Sequence, residues 1–153
     1  MSVAPRITQQ DFYKIAPAAR DALIALGKAV DASGLPKDLT ELLKLRISQM
    51  NGCAFCLNMH LGIARKLGVP AAKLDLVAAW RDADIYSARE RAALAWAEAL
   101  TDFAHGAAMD GAYEALQQEF SQDEIAFLTA AIANINAWNR ISVGLRFAPI
   151  IEA

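Results

Sequence analysis

The chain has 153 residues, enough for one domain with a buried core, and 56% of them are hydrophobic, with a mean hydropathy of +0.23. A formal net charge of −2 and a pI near 5.6 leave no basic footprint for nucleic acid. So high an apolar fraction exceeds what one small domain needs and points to a subunit interface.

The N-terminal stretch MSVAPRITQQDFYK lacks the apolar core of a signal peptide. The longest apolar-rich uncharged run, Ile125 to Asn139, is broken by Asn134 and Asn136, too short and too polar for a membrane span. The expected setting is the cytoplasm, where thiols stay reduced unless their chemistry is catalytic.

In chain order, Phe12, Ile15, Leu23, Leu26 and Val30 mark one amphipathic stretch closed by Ser33-Gly34-Leu35-Pro36. Leu39, Leu42, Leu43, Leu45 and Ile47 predict a second helix, ended by Asn51-Gly52, a pair suited to a left-handed C-terminal cap. A third runs from Cys53 to Leu67, stopped by Gly68 and Pro70, and a short one follows through Leu74, Leu76, Val77 and Trp80. Two capping boxes, Ser87/Glu90 and Ser121/Glu124, open a helix reaching about His105 and the last long helix. Asp110 opens a shorter helix between them. The last helix is apolar around nearly its whole circumference, which predicts burial on all sides by its own domain or a neighbouring subunit. No alternating run of β-branched residues appears, so residues 1–153 read as a single all-α domain.

Both cysteines and one of the two histidines fall within NGCAFCLNMH, residues 51–60. On a helix beginning near Cys53, the side chains of Cys53, Cys56 and His60 share one face. Unpaired backbone N–H groups at the helix start favour a thiolate, and an imidazole can accept and return a proton. If Asn51-Gly52 reverses the chain, Glu41 stands roughly 16 Å back along one helix and His60 about 12 Å along the other, at similar heights. A carboxylate there would orient the imidazole. The competing readings are a zinc site completed by His60 and His105, whose spacing fits no common finger, and a structural disulfide. Glu41 alone would suit a solvated helix face. His105, ahead of Gly106, reads as a helix C-terminal cation, and Met50 and Met59 as flexible core filler. An offset of 83 aligns Glu41 with Glu124, Asn51 with Asn134, and residues 53–56 with 136–139, a faint internal repeat that would bring Trp138, Asn139 and Arg140 to the site.

Glu41 twelve residues before Cys53, followed by Cys-x-x-Cys-x-x-x-His, resembles the AhpD-like alkylhydroperoxidases of the carboxymuconolactone decarboxylase superfamily. So do AAWRDADIYSARERAALAWAEALT and IANINAWNR further on. The resemblance implies an all-helical protomer, a homotrimer or homohexamer, with no cofactor. It further implies peroxide reduction by Cys56, disulfide closure by Cys53, and proton relay through His60 and Glu41. The external reductant would be a dithiol of lipoyl or thioredoxin type. Phe55 departs from the branch that carries a further histidine between the cysteines. Two other functions stay open: a lactone decarboxylase, which would need no dithiol, and a non-enzymatic oligomeric redox-sensing module. On a one-turn offset toward the chain reversal, Cys53 is expected to be the more exposed sulfur.

Overall fold

The computed structural model describes residues 4–151; residues 1–3 and 152–153 of the expected domain lie outside the described residues. The described residues form eight α-helices and one 3₁₀ turn, with no strand. The helices are α1 (Gln9–Ile15), α2 (Pro17–Ala32), α3 (Lys37–Met50), α4 (Ala54–Lys66), α5 (Ala71–Leu76), α6 (Ala88–Thr101), α7 (Ala107–Glu119) and α8 (Gln122–Leu145); the 3₁₀ turn Val77–Ala79 follows α5. None is long and apolar enough to cross a membrane.

The helix at the centre is α3. Leu39, Leu42, Leu43, Leu45 and Ile47 are buried together with Thr40, Glu41 and Ser48, so its polar residues are enclosed as well as its apolar ones. It packs on α4, α6 and α8, while α2 and α7 also lie against α8. The main core joins these helices through Leu94, Leu116, Leu128 and Ile132; Leu45, Ala64 and Leu74 form a small second cluster. Helix α8 is covered by its own domain on part of its circumference only. It buries Ile125, Leu128, Ile132 and Ile135 but leaves Phe127 and Val143 exposed; the helix enclosed all round is α3.

Both capping boxes form, each with the serine accepting from the N3 amide and the glutamate accepting from the N-cap amide. Three boundaries differ from the sequence reading. The first amphipathic stretch is two helices, because Ala16 leaves helical geometry and Pro17 restarts the chain at a first-turn position. Helix α6 ends at Thr101, where Phe103 adopts a left-handed φ of 50°, so His105 lies in the following loop and caps nothing. Helix α7 starts three residues before Asp110, from Gly106.

Candidate active site

Asn51 and Gly52 make the turn that builds the site. Gly52 has φ 64°, and its N–H bonds Gln49 O at 3.2 Å while Cys53 N–H bonds Ser48 O at 2.9 Å. This is a Schellman closure, which needs the left-handed residue a glycine supplies without strain. It delivers Cys53 to the N-cap of α4, where its Sγ accepts from the Cys56 N–H at 3.3 Å. A sulfur thus does the work of the usual serine or aspartate cap. Cys56 stands in the first turn, and both thiols are reduced.

The turn also fixes α4 beside α3 so that His60 Nδ1 lies 2.6 Å from Glu41 Oε2. The carboxylate accepts this bond, which leaves Nε2 as the exchangeable ring nitrogen. Lys44 Nζ bonds the other carboxylate oxygen at 2.6 Å. Burial pushes the Glu41 carboxyl up, but the hydrogen bond and charge of His60, together with Lys44, hold it below its ordinary value.

The two sulfurs differ in electrostatics. Hydrogen bonding from Cys53 stabilises the Cys56 thiolate first of all; against the penalty of burial, Ser142, Asn139 and the charge of His60 help lower its pKa to about 6. Cys53, whose proton serves its neighbour, is pushed well above the ordinary thiol value, and burial adds to the shift. The helix amides, which the sequence reading credited for the thiolate, contribute differently: the Cys56 amide is spent on Cys53 Sγ. Neither sulfur is exposed: Cys53 is 2% accessible and Cys56 1%, and Cys53 belongs to the main core, on a groove it lines together with Ser142 and Phe147.

Helix α8 supplies the opposite wall. Ser142 Oγ lies 3.6 Å from Cys56 Sγ. Asn139 donates to Ser48 Oγ at 3.1 Å, while Asn51 Nδ2 reaches both Asn136 and Asn139 at 3.0 Å. Trp138 and Asn139 therefore do reach the site, but not through an internal repeat. The offset of 83 matches the Asn51-Gly52 turn to the uninterrupted middle of α8. Arg140 turns away, its guanidinium bonding Asn136 O at 3.1 Å.

Cys56 and His60 open on a cavity of about 260 Å³. Its walls are mainly apolar, from Leu23, Ile24, Phe55, Met59, Ile135 and Trp138, with Lys44, Asn134 and Ser142 as further polar lining. Met59 is wall rather than filler. Phe55, between the cysteines, packs edge-on against Phe147 at 5.5 Å between ring centroids, so it closes the cavity where a histidine would add a proton carrier. Lys44 and Ser142 carry no motif signal and come to the site only through helix packing; Asn134, within the IANINAWNR stretch, joins them there. Among the described residues no three histidine, cysteine or carboxylate side chains converge to hold a metal ion.

The model of the carboxymuconolactone decarboxylase family matches residues 10–99. The chain belongs to that family. A Bacillus subtilis (strain 168) relative, the uncharacterized protein YdfG, is 35% identical over 134 residues, covering 88% of this chain and 91% of its own. Among solved structures, a protein of unknown function from Agrobacterium tumefaciens, described provisionally as the antioxidant defence protein AhpD, is 41% identical. It superposes with a TM-score of 0.90 over 97% of this chain and 100% of its own. The debrominase Bmp8 is 26% identical with a TM-score of 0.78, over 88% of this chain and 72% of its own. A cysteine-to-alanine variant of that debrominase has been solved with 2,3,4-tribromopyrrole. The resemblance noted in the sequence and the all-helical architecture are thus both established.

Proposed function

We propose that this family member is a thiol-dependent peroxidase that reduces an organic peroxide with its Cys53/Cys56 pair. The observation that carries the reading is a Cys56 thiol favoured as thiolate on an apolar cavity it shares with a carboxylate-held imidazole. In the proposed cycle, Cys56 thiolate attacks the terminal oxygen of ROOH. The O–O bond breaks, the alkoxide leaves as ROH with a proton from His60, and Cys56 becomes a sulfenic acid. The Cys53 thiol then attacks that sulfur, forming the disulfide and releasing water. An external dithiol, of lipoyl or thioredoxin type, returns two electrons and two protons and is itself oxidised to a disulfide. Glu41 keeps His60 oriented and balances its charge. No cofactor is required.

The working form in this proposal is a homotrimer or homohexamer in the cytoplasm, with exposed Phe103, Phe127 and Val143 available for subunit contact. Light scattering that finds a monomer at micromolar concentration overturns that part. The peroxidase reading is tested by steady-state consumption of a panel of organic peroxides with lipoyl and thioredoxin-type dithiols in turn. Turnover separates it from a redox-sensing module. A lactone decarboxylase would release carbon dioxide without using either thiol. Absence of peroxide consumption by fully reduced protein overturns the peroxidase reading.

The likeness to a debrominase supports a second reading, reductive dehalogenation. There Cys56 would take the halogen from carbon as a sulfenyl halide while the carbon takes a proton. Cys53 would then displace halide to give the same disulfide. Halide release from a brominated heteroaromatic, measured beside the peroxide panel, distinguishes the two.

A further inference from the structure

One proton in the proposed cycle has no carrier. When Cys53 attacks the Cys56 sulfenic acid, its own proton must leave, and the sulfenic oxygen must gain one to depart as water. The Cys53 thiol is a reluctant acid: the hydrogen bond it gives Cys56, and then burial, hold its pKa well above the ordinary thiol value. His60 is on the other side. It lines the cavity with Cys56, whereas Cys53 lines a separate groove of about 640 Å³ beside the end of α8. Of the side chains lining that groove, Ser142 and Arg146 are the polar ones besides Cys53 itself, and a guanidinium has no lone pair with which to accept a proton. Phe55, between the cysteines, carries none either.

Ser142 belongs to both spaces. Phe55 and Ser142 line cavity and groove alike, and of the two only the serine can handle a proton. Ser142 is 2% exposed, and its Oγ lies 3.6 Å from Cys56 Sγ. Hydrogen bonding with the same hydroxyl acts on both sulfurs: it adds to the effect of Cys53 in favouring the Cys56 thiolate, and it opposes the upward shift of Cys53. A hydroxyl can accept one proton while giving another, ending unchanged.

We propose that Ser142 is a catalytic residue of disulfide closure, passing the Cys53 proton to the departing sulfenic oxygen. The assignment rests on the peroxidase reading only for how the sulfenic acid arises. In this step the Cys53 sulfur gives an electron pair to the Cys56 sulfur; the S–S bond forms and the S–O bond breaks. Cys53 is oxidised, and Cys56 is reduced from the sulfenic to the disulfide level. The Cys53 proton moves to Ser142 Oγ as the Ser142 proton moves to the sulfenic oxygen, and water leaves. Ser142 regains its starting form, and no co-reactant is consumed.

The test separates closure from the choice of substrate. Reduced full-length protein is mixed rapidly with hydrogen peroxide, small enough to reach Cys56 whichever peroxide the cavity takes, and sulfenic acid and disulfide are followed by trapping and mass spectrometry. In Ser142→Ala closure should slow by about 10²-fold, so that sulfenic acid accumulates and, under excess peroxide, passes to sulfinic acid on Cys56. The first step, which loses only a hydrogen bond to the thiolate, should slow by no more than about fivefold. Ser142→Thr, which keeps the hydroxyl, should restore closure. Unchanged closure in Ser142→Ala, or equal slowing of both steps as a merely packed residue would give, overturns the proposal. Should Ser142→Ala fail to fold, the unaltered protein decides. Internal transfer makes closure independent of pH between about 5 and 8, whereas a Cys53 that ionises to solvent makes it rise about tenfold per pH unit, which overturns the proposal. Steady-state turnover of the organic peroxide panel runs in parallel. No turnover with closure still dependent on Ser142 defeats the peroxidase reading alone, and turnover with closure indifferent to Ser142 defeats the shuttle alone.

Discussion

Two buried carboxylates lie in the helical core, Glu41 on α3 and Glu98 on α6, and they have opposite kinds of partner. Glu41 is bonded to an imidazole and an ammonium, and that imidazole opens on a cavity beside a thiolate. Glu98, on α6, accepts from Arg46 Nε at 2.6 Å, from Trp80 Nε1 at 2.9 Å and from the Arg81 guanidinium. In both, burial raises the carboxyl pKa and the surrounding donors more than offset it. Yet the partners of Glu98 are guanidinium and indole N–H groups, fixed donors that hold helices together. Glu41 is bonded to an imidazole, a side chain with a second ring nitrogen free to pass a proton. A buried, paired carboxylate is thus no indicator of catalysis by itself. The proton chemistry open to its partner decides.

The sharpest way to break this comparison is at the sulfur that the Glu41 side serves. Cys56→Ser should abolish peroxide consumption even in a single turnover, whereas Cys53→Ser should consume about one equivalent, trap a sulfenic acid and stall. Rapid-mixing measurements of peroxide loss separate the two, and the opposite pattern would reverse their roles. Next in size, Glu41→Gln should slow the first step by about 10²-fold while both thiols remain titratable, since the residue handles protons rather than electrons.

The pH dependence is expected to be smaller. With the Cys56 pKa lowered to about 6, the thiolate fraction rises as pH rises, so alkylation of Cys56 should increase about tenfold between pH 5 and 7 and then level off. Cys53, shifted upward, should stay unreactive across that range. Mass mapping of the alkylated protein checks both halves. Least affected in turnover should be Glu98→Ala. Its rate per folded molecule should change by no more than about twofold, while removing the carboxylate that joins the partly buried Arg46, the exposed Arg81 and the Trp80 indole should cost about 2 kcal/mol in denaturant unfolding. The sign of the acid response follows from the lowered carboxyl pKa. The stability contributed by Glu98 is fully present above the unfolded value of about 4.3 and is lost as pH falls through the folded value, so Glu98→Ala should flatten the acid limb of the unfolding profile.

What could be read in advance was what depends on local sequence. Ser87/Glu90 and Ser121/Glu124 cap helices because each box satisfies amides within its own first turn. Gly52 reverses the chain because the left-handed position needs it, and that reversal was enough to bring Glu41 to His60. Lys44 and Ser142 were invisible for the complementary reason. Nothing in their neighbours along the chain distinguishes them, and only the crossing of α8 over α3 and α4 gives them a role. The burial of Cys53 was missed because a position next to a turn suggests exposure, whereas this turn sets the following residue in the main core, on a groove shared with Phe147. The end of α6 was missed because Phe103, not a glycine, takes the left-handed conformation.

The sulfur cap on α4 has an electrochemical consequence. The bond from the Cys56 amide to Cys53 Sγ, and the hydrogen bonds that favour the Cys56 thiolate, belong to the dithiol form and are weakened or lost once the two sulfurs join. Interactions present only on the reduced side of a couple move its potential upward, making the disulfide a better electron acceptor. In the proposed cycle the helix start would therefore incline the oxidised protein to take electrons from a partner dithiol, and the same few atoms that prepare the thiolate would also set the direction in which the pair is recharged.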